Sequence, residues 1–179
     1  MHRYLLAAIA STFLAASAGE AQQPYAGLEA RPIKALSEQQ IADLKAGRGM
    51  GLALAAELNG YPGPIHLLEL SDKVGLSDQQ RAQITSLFEA MKADAVPLGE
   101  KLLALETDLD AQFKNHTVTA ESLKGTTATI GEVQAALRNT HLKYHLSTVA
   151  LLAPAQIKHY EALRGYSRGG QEGHQGTHH

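Results

Sequence analysis

Between residues 77 and 114 the apolar positions of the chain fall into a heptad. Phe88, Met91, Ala95, Leu98, Leu102, Leu105, Leu109 and Gln112 are separated by 3, 4, 3, 4, 3, 4 and 3 residues, apolar except at the last position. That spacing keeps the side chains on one stripe of an α-helix. Such a helix is roughly 55 Å long at 1.5 Å per residue, more than a compact small domain needs. The stripe therefore predicts packing along an antiparallel helix or a second chain. Pro97 lies inside it and lacks an amide hydrogen, so a kink is expected there. A second stripe, Leu123, Ile130, Val133, Leu137, His141, Tyr144 and Thr148, predicts a partner helix from Thr119 to about Leu151. Gly125 and Gly131 weaken it locally, and Asn115-His116-Thr117 turns the chain between the two. No alternating strand pattern occurs. The fold class is all-α: a long antiparallel helical hairpin with short flanking helices.

The flanks carry helix signals of their own. Leu36-Ser37-Glu38-Gln39-Gln40 reads as a capping box, with Ser37 and Gln40 exchanging side-chain and backbone bonds. Gly47, Gly49 and Gly51 interrupt the helix around Met50. With no strand before them they are weak evidence for phosphate binding, and a bend or close helix packing is preferred. Leu52 to Leu58 is helical again. Asn59-Gly60-Tyr61-Pro62-Gly63-Pro64 is a turn, Pro64 opens a helix to Val74, and Gly75 ends it. Pro154 opens a last short helix with Ile157, Tyr160 and Leu163 on one face.

The ends divide from this helical body. Tyr4 to about Ala16 is an apolar run after a weak basic start, followed by small residues at Ala18 and Ala21. It is shorter than the roughly 20 residues of a spanning helix, so a cleavable signal peptide at 1–21 and a periplasmic location are expected ahead of a membrane anchor. Residues 22–36 read as an extended arm, 37–75 as an N-terminal helical extension, 76–164 as the hairpin domain, and 165–179 as a disordered, His-containing tail.

Composition narrows the chemistry. Sixteen Lys plus Arg against eighteen Asp plus Glu give a net charge of −2, so there is no electrostatic case for nucleic acid. The absence of Cys removes thiolate nucleophiles, disulfides and Cys-based zinc sites. No Gly-x-Ser-x-Gly, His-Glu-x-x-His or phosphate loop supports catalysis. Asp108 and Asp110 are explained as a solvated helix face.

One short phrase stands on both sides of the hairpin: Leu76-Ser77-Asp78-Gln79-Gln80 and Leu152-Ala153-Pro154-Ala155-Gln156. With Gly75 before the first copy, Arg81 after it, and long helices between the two, the chain resembles the Spy/CpxP family of periplasmic stress proteins, named for its LTxxQ motif. The resemblance covers about residues 70–166. Its motif residues here are Leu76, Ser77, Gln80, Leu152, Pro154 and Gln156. Ser77 keeps the hydroxyl of the motif Thr. Ala153 does not, so capping there must come from backbone or water, at a cost of about 1 kcal/mol. The resemblance implies a cradle-like homodimer. The leading role it implies is ATP-independent chaperone binding of unfolded envelope proteins; the alternatives are heavy-metal binding or sensing (Zn, Cu, Ni or Co) and, after that, restraint of a sensor-kinase ectodomain. Residues 36–70 lie outside the motif.

Several side chains are candidates for these roles. His141 and His145, four apart, put two imidazoles on one helix face, where they could bind one divalent metal. His116 and His159 are possible third ligands. The alternative is a core or interface His141 beside a solvent-facing His145. Metal sensors related to the family usually carry another His-x-x-x-His pair near the N-terminus, and this chain has none there. His174, His178 and His179 form a tail cluster able to chelate weakly. His66 could join Met50 around copper, although packing is the simpler explanation. Leu102, Leu105, Leu109 and Phe113 serve either as core or as an apolar client-binding or dimer surface. Lys92, Lys101, Lys114 and Lys124 flank that seam. No metal is required by any of this, and no membrane span remains after signal cleavage.

Overall fold

The structure, a computed structural model, describes residues 25–166. The predicted signal segment and the tail histidines His174, His178 and His179 lie outside the described residues. A 3-10 turn at Leu28–Ala30 is followed by α1 (Glu38–Lys45), α2 (Leu54–Glu57), α3 (Pro64–Glu69), α4 (Ser71–Val74), α5 (Asp78–Lys114), α6 (Ala120–Val149) and α7 (Pro154–Arg164). The described residues contain no strand, and none of their helices is long and apolar enough to cross a membrane.

Three helices start where the sequence places their caps. Ser37 and Gln40, Ser77 and Gln80, and Thr119 and Ser122 each close a reciprocal box of two hydrogen bonds. These boxes satisfy amides that the first helical turn would leave without partners. The predicted 64–74 helix is divided instead, with Leu70 between α3 and α4. α5 runs through Pro97 as one helix. Ala93 and Pro97 are exposed, so the Ala93 carbonyl, which has no amide partner at Pro97, is left on the side open to water.

α5 and α6 form the antiparallel hairpin. Near the turn Gln112 Nε2 donates to Thr126 Oγ1 at 3.4 Å. Further down, Lys143 Nζ and Tyr144 Oη donate to Asp94 at 2.7 and 2.9 Å. Two apolar clusters hold the body together. One joins Leu44, Ala95, Leu102, Leu103, Ile130, Val133 and Leu137, and it also takes in Ile33. The segment expected to be an extended arm therefore supplies a turn and a core residue. The other cluster joins Leu67, Val74, Leu76, Ile84 and Tyr160 at the opposite end of the hairpin.

The buried stripe of α5 is wider than the heptad seam because α5 has partners on two sides. Leu103 is buried although it lies off the seam, and Ile84, which continues the seam one step before Phe88, is buried too, whereas Phe88, Leu98, Leu105 and Leu109 are only half-buried. α1 crosses α5 so closely that a Cβ on Gly99 would collide with the Leu44 carbonyl. Glycine there lets the extension lie directly on the hairpin.

The two copies of the repeated phrase meet. Gln80 Nε2 donates to Gln156 Oε1 at 2.9 Å, and Gln156 Nε2 donates to Gln80 Oε1 at 3.1 Å. Gln80 Nε2 also donates to the Leu151 carbonyl at 2.8 Å, and Gln156 Nε2 to the Gly75 carbonyl at 3.0 Å. Each Oε1 in addition accepts an amide from its own helix start, Ser77 or Ala153, at 3.0 Å. The motif glutamine thus has two tasks: it caps its own helix and clasps the start of the other. At Ala153, which lacks a hydroxyl, the Gln156 amide bonds the backbone carbonyl of Ala153 at 2.9 Å, the backbone capping that the sequence requires.

Candidate functional site

A cavity of about 610 Å³ opens between residues 46–69 and the middle of the hairpin. The Gly47–Gly51 loop, Glu57 and the start of α3 form one wall. Phe88, Met91 and Lys92 of α5, with His141 and His145 of α6, form the other. The extension that lies outside the repeated motif is what encloses this space.

The local backbone is shaped for close approach. A Cβ on Gly63 would lie 2.9 Å from both Cε1 and Nε2 of His145, so only glycine lets the turn sit against that ring. Gly49 is similarly placed, with a hypothetical Cβ 3.2 Å from His141 Nδ1. The glycine cluster thus does the close packing expected of it. Met50, between Gly49 and Gly51, has φ +44°, a left-handed conformation uncommon for a side chain of its size.

Glu57 anchors the wall. It is 4% exposed, and its carboxylate accepts from the Tyr160 hydroxyl and, at 3.0 Å, from the Gly63 amide. His66 Nδ1 lies 3.4 Å from it, His145 Nδ1 3.8 Å and Arg164 Nε 3.9 Å. Burial pushes its pKa up, but His66, Tyr160 and the Gly63 amide outweigh that and hold the carboxyl at about 2. Burial, then the neighbouring Glu57, raise the pKa of Tyr160, which therefore remains a phenol that donates to Glu57.

The two α6 histidines differ in their hydrogen bonds. His145 Nδ1 lies 2.6 Å from the Tyr61 carbonyl. A carbonyl only accepts, so Nδ1 carries the proton and the lone pair of the neutral ring lies on Nε2. His141 is 3% exposed, and its Nε2 is buried with no hydrogen-bond partner. Burial, and secondly the neighbouring His145, lower the His141 pKa and favour the neutral ring. His66 Nδ1 is also buried without an aligned partner.

The structure thus brings His141, His145, His66 and Met50 to one cavity. His145 is 6% exposed, which corrects its expected position as a solvent-facing neighbour: the 61–63 turn covers the face of α6 that the hairpin leaves free. His116 is exposed at the hairpin turn with φ +55°, His159 is exposed on α7, and neither lines the cavity. No group of three or more His, Cys, Asp or Glu among the described residues is placed to hold a metal ion.

Of the apolar candidates, Leu102 is core at 6% exposed, Leu105 and Leu109 pack half-buried against that core, and Phe113 is 52% exposed. Sequence reasoning missed Glu57 as the anchor and Met91 as a cavity residue. An acid within the Ala- and Leu-rich stretch 52–58 was the available signal for the first. Met91 gave none, because a seam position and a cavity wall look alike in sequence.

The chain matches no protein-family model. Neither the curated proteins nor the solved structures contain a match.

Proposed function

We propose that the protein is an envelope metal-binding protein, resembling the metal-handling branch of the LTxxQ proteins, that captures a transition-metal ion in the cavity under its N-terminal extension. The observation that carries this is the Nε2 of His141, buried and unpartnered, on a side chain that lines one cavity with His145 and His66. A buried imidazole nitrogen without a partner is costly, and a ligand to that nitrogen removes the cost. His141 and His145 would hold the ion. Tyr61 and Glu57 would orient His145 from behind, as outer-shell partners orient metal-bound imidazoles.

The test is equilibrium dialysis of the full chain carrying His174→Ala, His178→Ala and His179→Ala against Zn(II), Cu(II), Ni(II) and Co(II), and against Cu(I) anaerobically. One ion per chain, lost in His141→Ala/His145→Ala, supports the proposal. Stoichiometry unchanged by that pair, or no binding of any ion, refutes it.

Unfolded envelope proteins are a second candidate ligand, favoured by one observation. Leu54, Leu58 and Tyr61 are 53%, 55% and 39% exposed along a short stretch of the extension, and Phe113 is exposed near the hairpin turn. Apolar side chains left in water at separate places suit transient holding of extended chains. Aggregation suppression that persists in chelator and falls with Leu54→Asp/Leu58→Asp supports it. Suppression unchanged by those substitutions contradicts it.

A further inference from the structure

The donors around the cavity select among metals. Met50 and Met91 both line it, and the chain's remaining methionine is Met1. They stand with His141, His145 and His66, so thioether and imidazole are on offer beside the carboxylates of Glu57 and the exposed Glu69. The carboxylate that reaches this space from α2, Glu57, is occupied by Tyr160 and the Gly63 amide. Zinc in protein sites takes four ligands from Cys, His, Asp and Glu, and no three such residues converge among the described residues.

Charge points the same way. Imidazole binds a metal through the lone pair of a neutral ring nitrogen, and methionine carries no charge. The charged side chains on the lining are mixed in sign, Arg48 and Lys92 with Glu57 and Glu69. Holding an ion with neutral donors leaves its whole charge in a partly dehydrated site, and the desolvation cost rises steeply with that charge. A singly charged ion is tolerated there far better than a doubly charged one. Thioether sulfur is a soft ligand that selects Cu(I), and imidazole suits copper as well. Met50, in a left-handed conformation and 42% exposed, follows Gly49, which packs on the His141 ring, and so puts a soft donor in the loop beside it.

We infer that the ion is Cu(I), held by His141 and His145 with thioether sulfur from Met50 and Met91. The inference rests on the proposal that this cavity binds a metal at all. No redox step is part of it: copper arrives and leaves as Cu(I).

The full chain with the three tail histidines replaced is titrated anaerobically with Cu(I) against a competing Cu(I) chelator, and separately with Zn(II) against a zinc-binding dye. The expected result is one Cu(I) per chain, bound at least 100-fold more tightly than Zn(II). Met50→Leu/Met91→Leu should weaken Cu(I) at least 10-fold and leave Zn(II) unchanged. Leu conserves the volume of Met, so these swaps preserve the packing. X-ray absorption of the unsubstituted copper-loaded chain should show sulfur scattering, a readout that holds even where the variant fails to fold. Zn(II) bound as tightly as Cu(I), or copper with only nitrogen and oxygen neighbours, overturns the Cu(I) inference and leaves metal binding standing. Binding of neither ion overturns both.

Discussion

Replacing Gln80 by Ala should destabilise the fold far more than an ordinary half-exposed glutamine would. Gln80 donates to the Leu151 carbonyl and to Gln156, accepts from Gln156, and accepts the Ser77 amide. Each such bond contributes about 0.5–1.5 kcal/mol net. The Ser77 amide is at an exposed helix start where water can replace the lost acceptor, whereas the Leu151 carbonyl and the Gln156 amide are left partly buried. The sum is about 2–4 kcal/mol for Gln80→Ala and, by the near-symmetry of the clasp, a similar amount for Gln156→Ala. The two bonds between the side chains are broken by either substitution, so the double variant should lose about 1–2 kcal/mol less than the sum of the singles. Urea unfolding of the four proteins, with midpoints compared at constant slope, measures this coupling. In thermal unfolding each kcal/mol corresponds to roughly 2–4 °C for a chain of this size. Additivity within about 0.3 kcal/mol would refute the clasp. The repeated phrase would then be two independent helix caps.

Other expectations follow from the cavity and the seam. Glu57 has its pKa lowered from 4.5 to about 2, so the stability it contributes is fully present above pH 4.5 and is lost as pH falls toward 2. The shift corresponds to about 3 kcal/mol, and Glu57→Gln should flatten the acid limb of stability measured between pH 5 and 2. The folded pKa of His141 is lowered, so its contribution is present above 6.5 and is lost as pH falls below that value. His141→Gln should reduce the pH dependence of unfolding on that limb. Gly63→Ala should displace the turn from His145 and weaken metal binding at least 10-fold, with a loss of about 1–3 kcal/mol in stability; unchanged metal affinity contradicts the packing described. Leu102→Asp should unfold the protein, whereas Phe113→Asp should leave it folded with a stability change within about 0.5 kcal/mol, as circular dichroism and urea titration report.

The hairpin was legible because its signals are local. Ser77 with Gln80 and Thr119 with Ser122 mark helix starts within four residues, and the apolar stripes of α5 and α6 repeat on every turn. The site was not legible, because it is made by approach between distant segments. His145 sits at the edge of the predicted α6 stripe, one turn after His141, and the 61–63 turn that covers it comes from a distant segment. Glu57 acquires its role from Tyr160, about a hundred residues later. The glycines at 47, 49 and 51 signalled close packing without naming what they pack against. Likewise the repeated glutamines pointed to caps, while their bond to each other needed the two helix starts brought together in space.

The central claim is that the free Nε2 of His141 is a metal ligand, and imidazole nitrogen NMR tests it most directly. The ¹⁵N-labelled full chain, with the three tail histidines replaced, is observed as Cu(I) and then Zn(II), both diamagnetic, are added. One equivalent of Cu(I) should move the Nε2 resonances of His141 and His145 to coordinated values and leave His116 and His159 unchanged. A His141 Nε2 that does not move while the protein retains its metal, or a protein that retains none, would contradict the account.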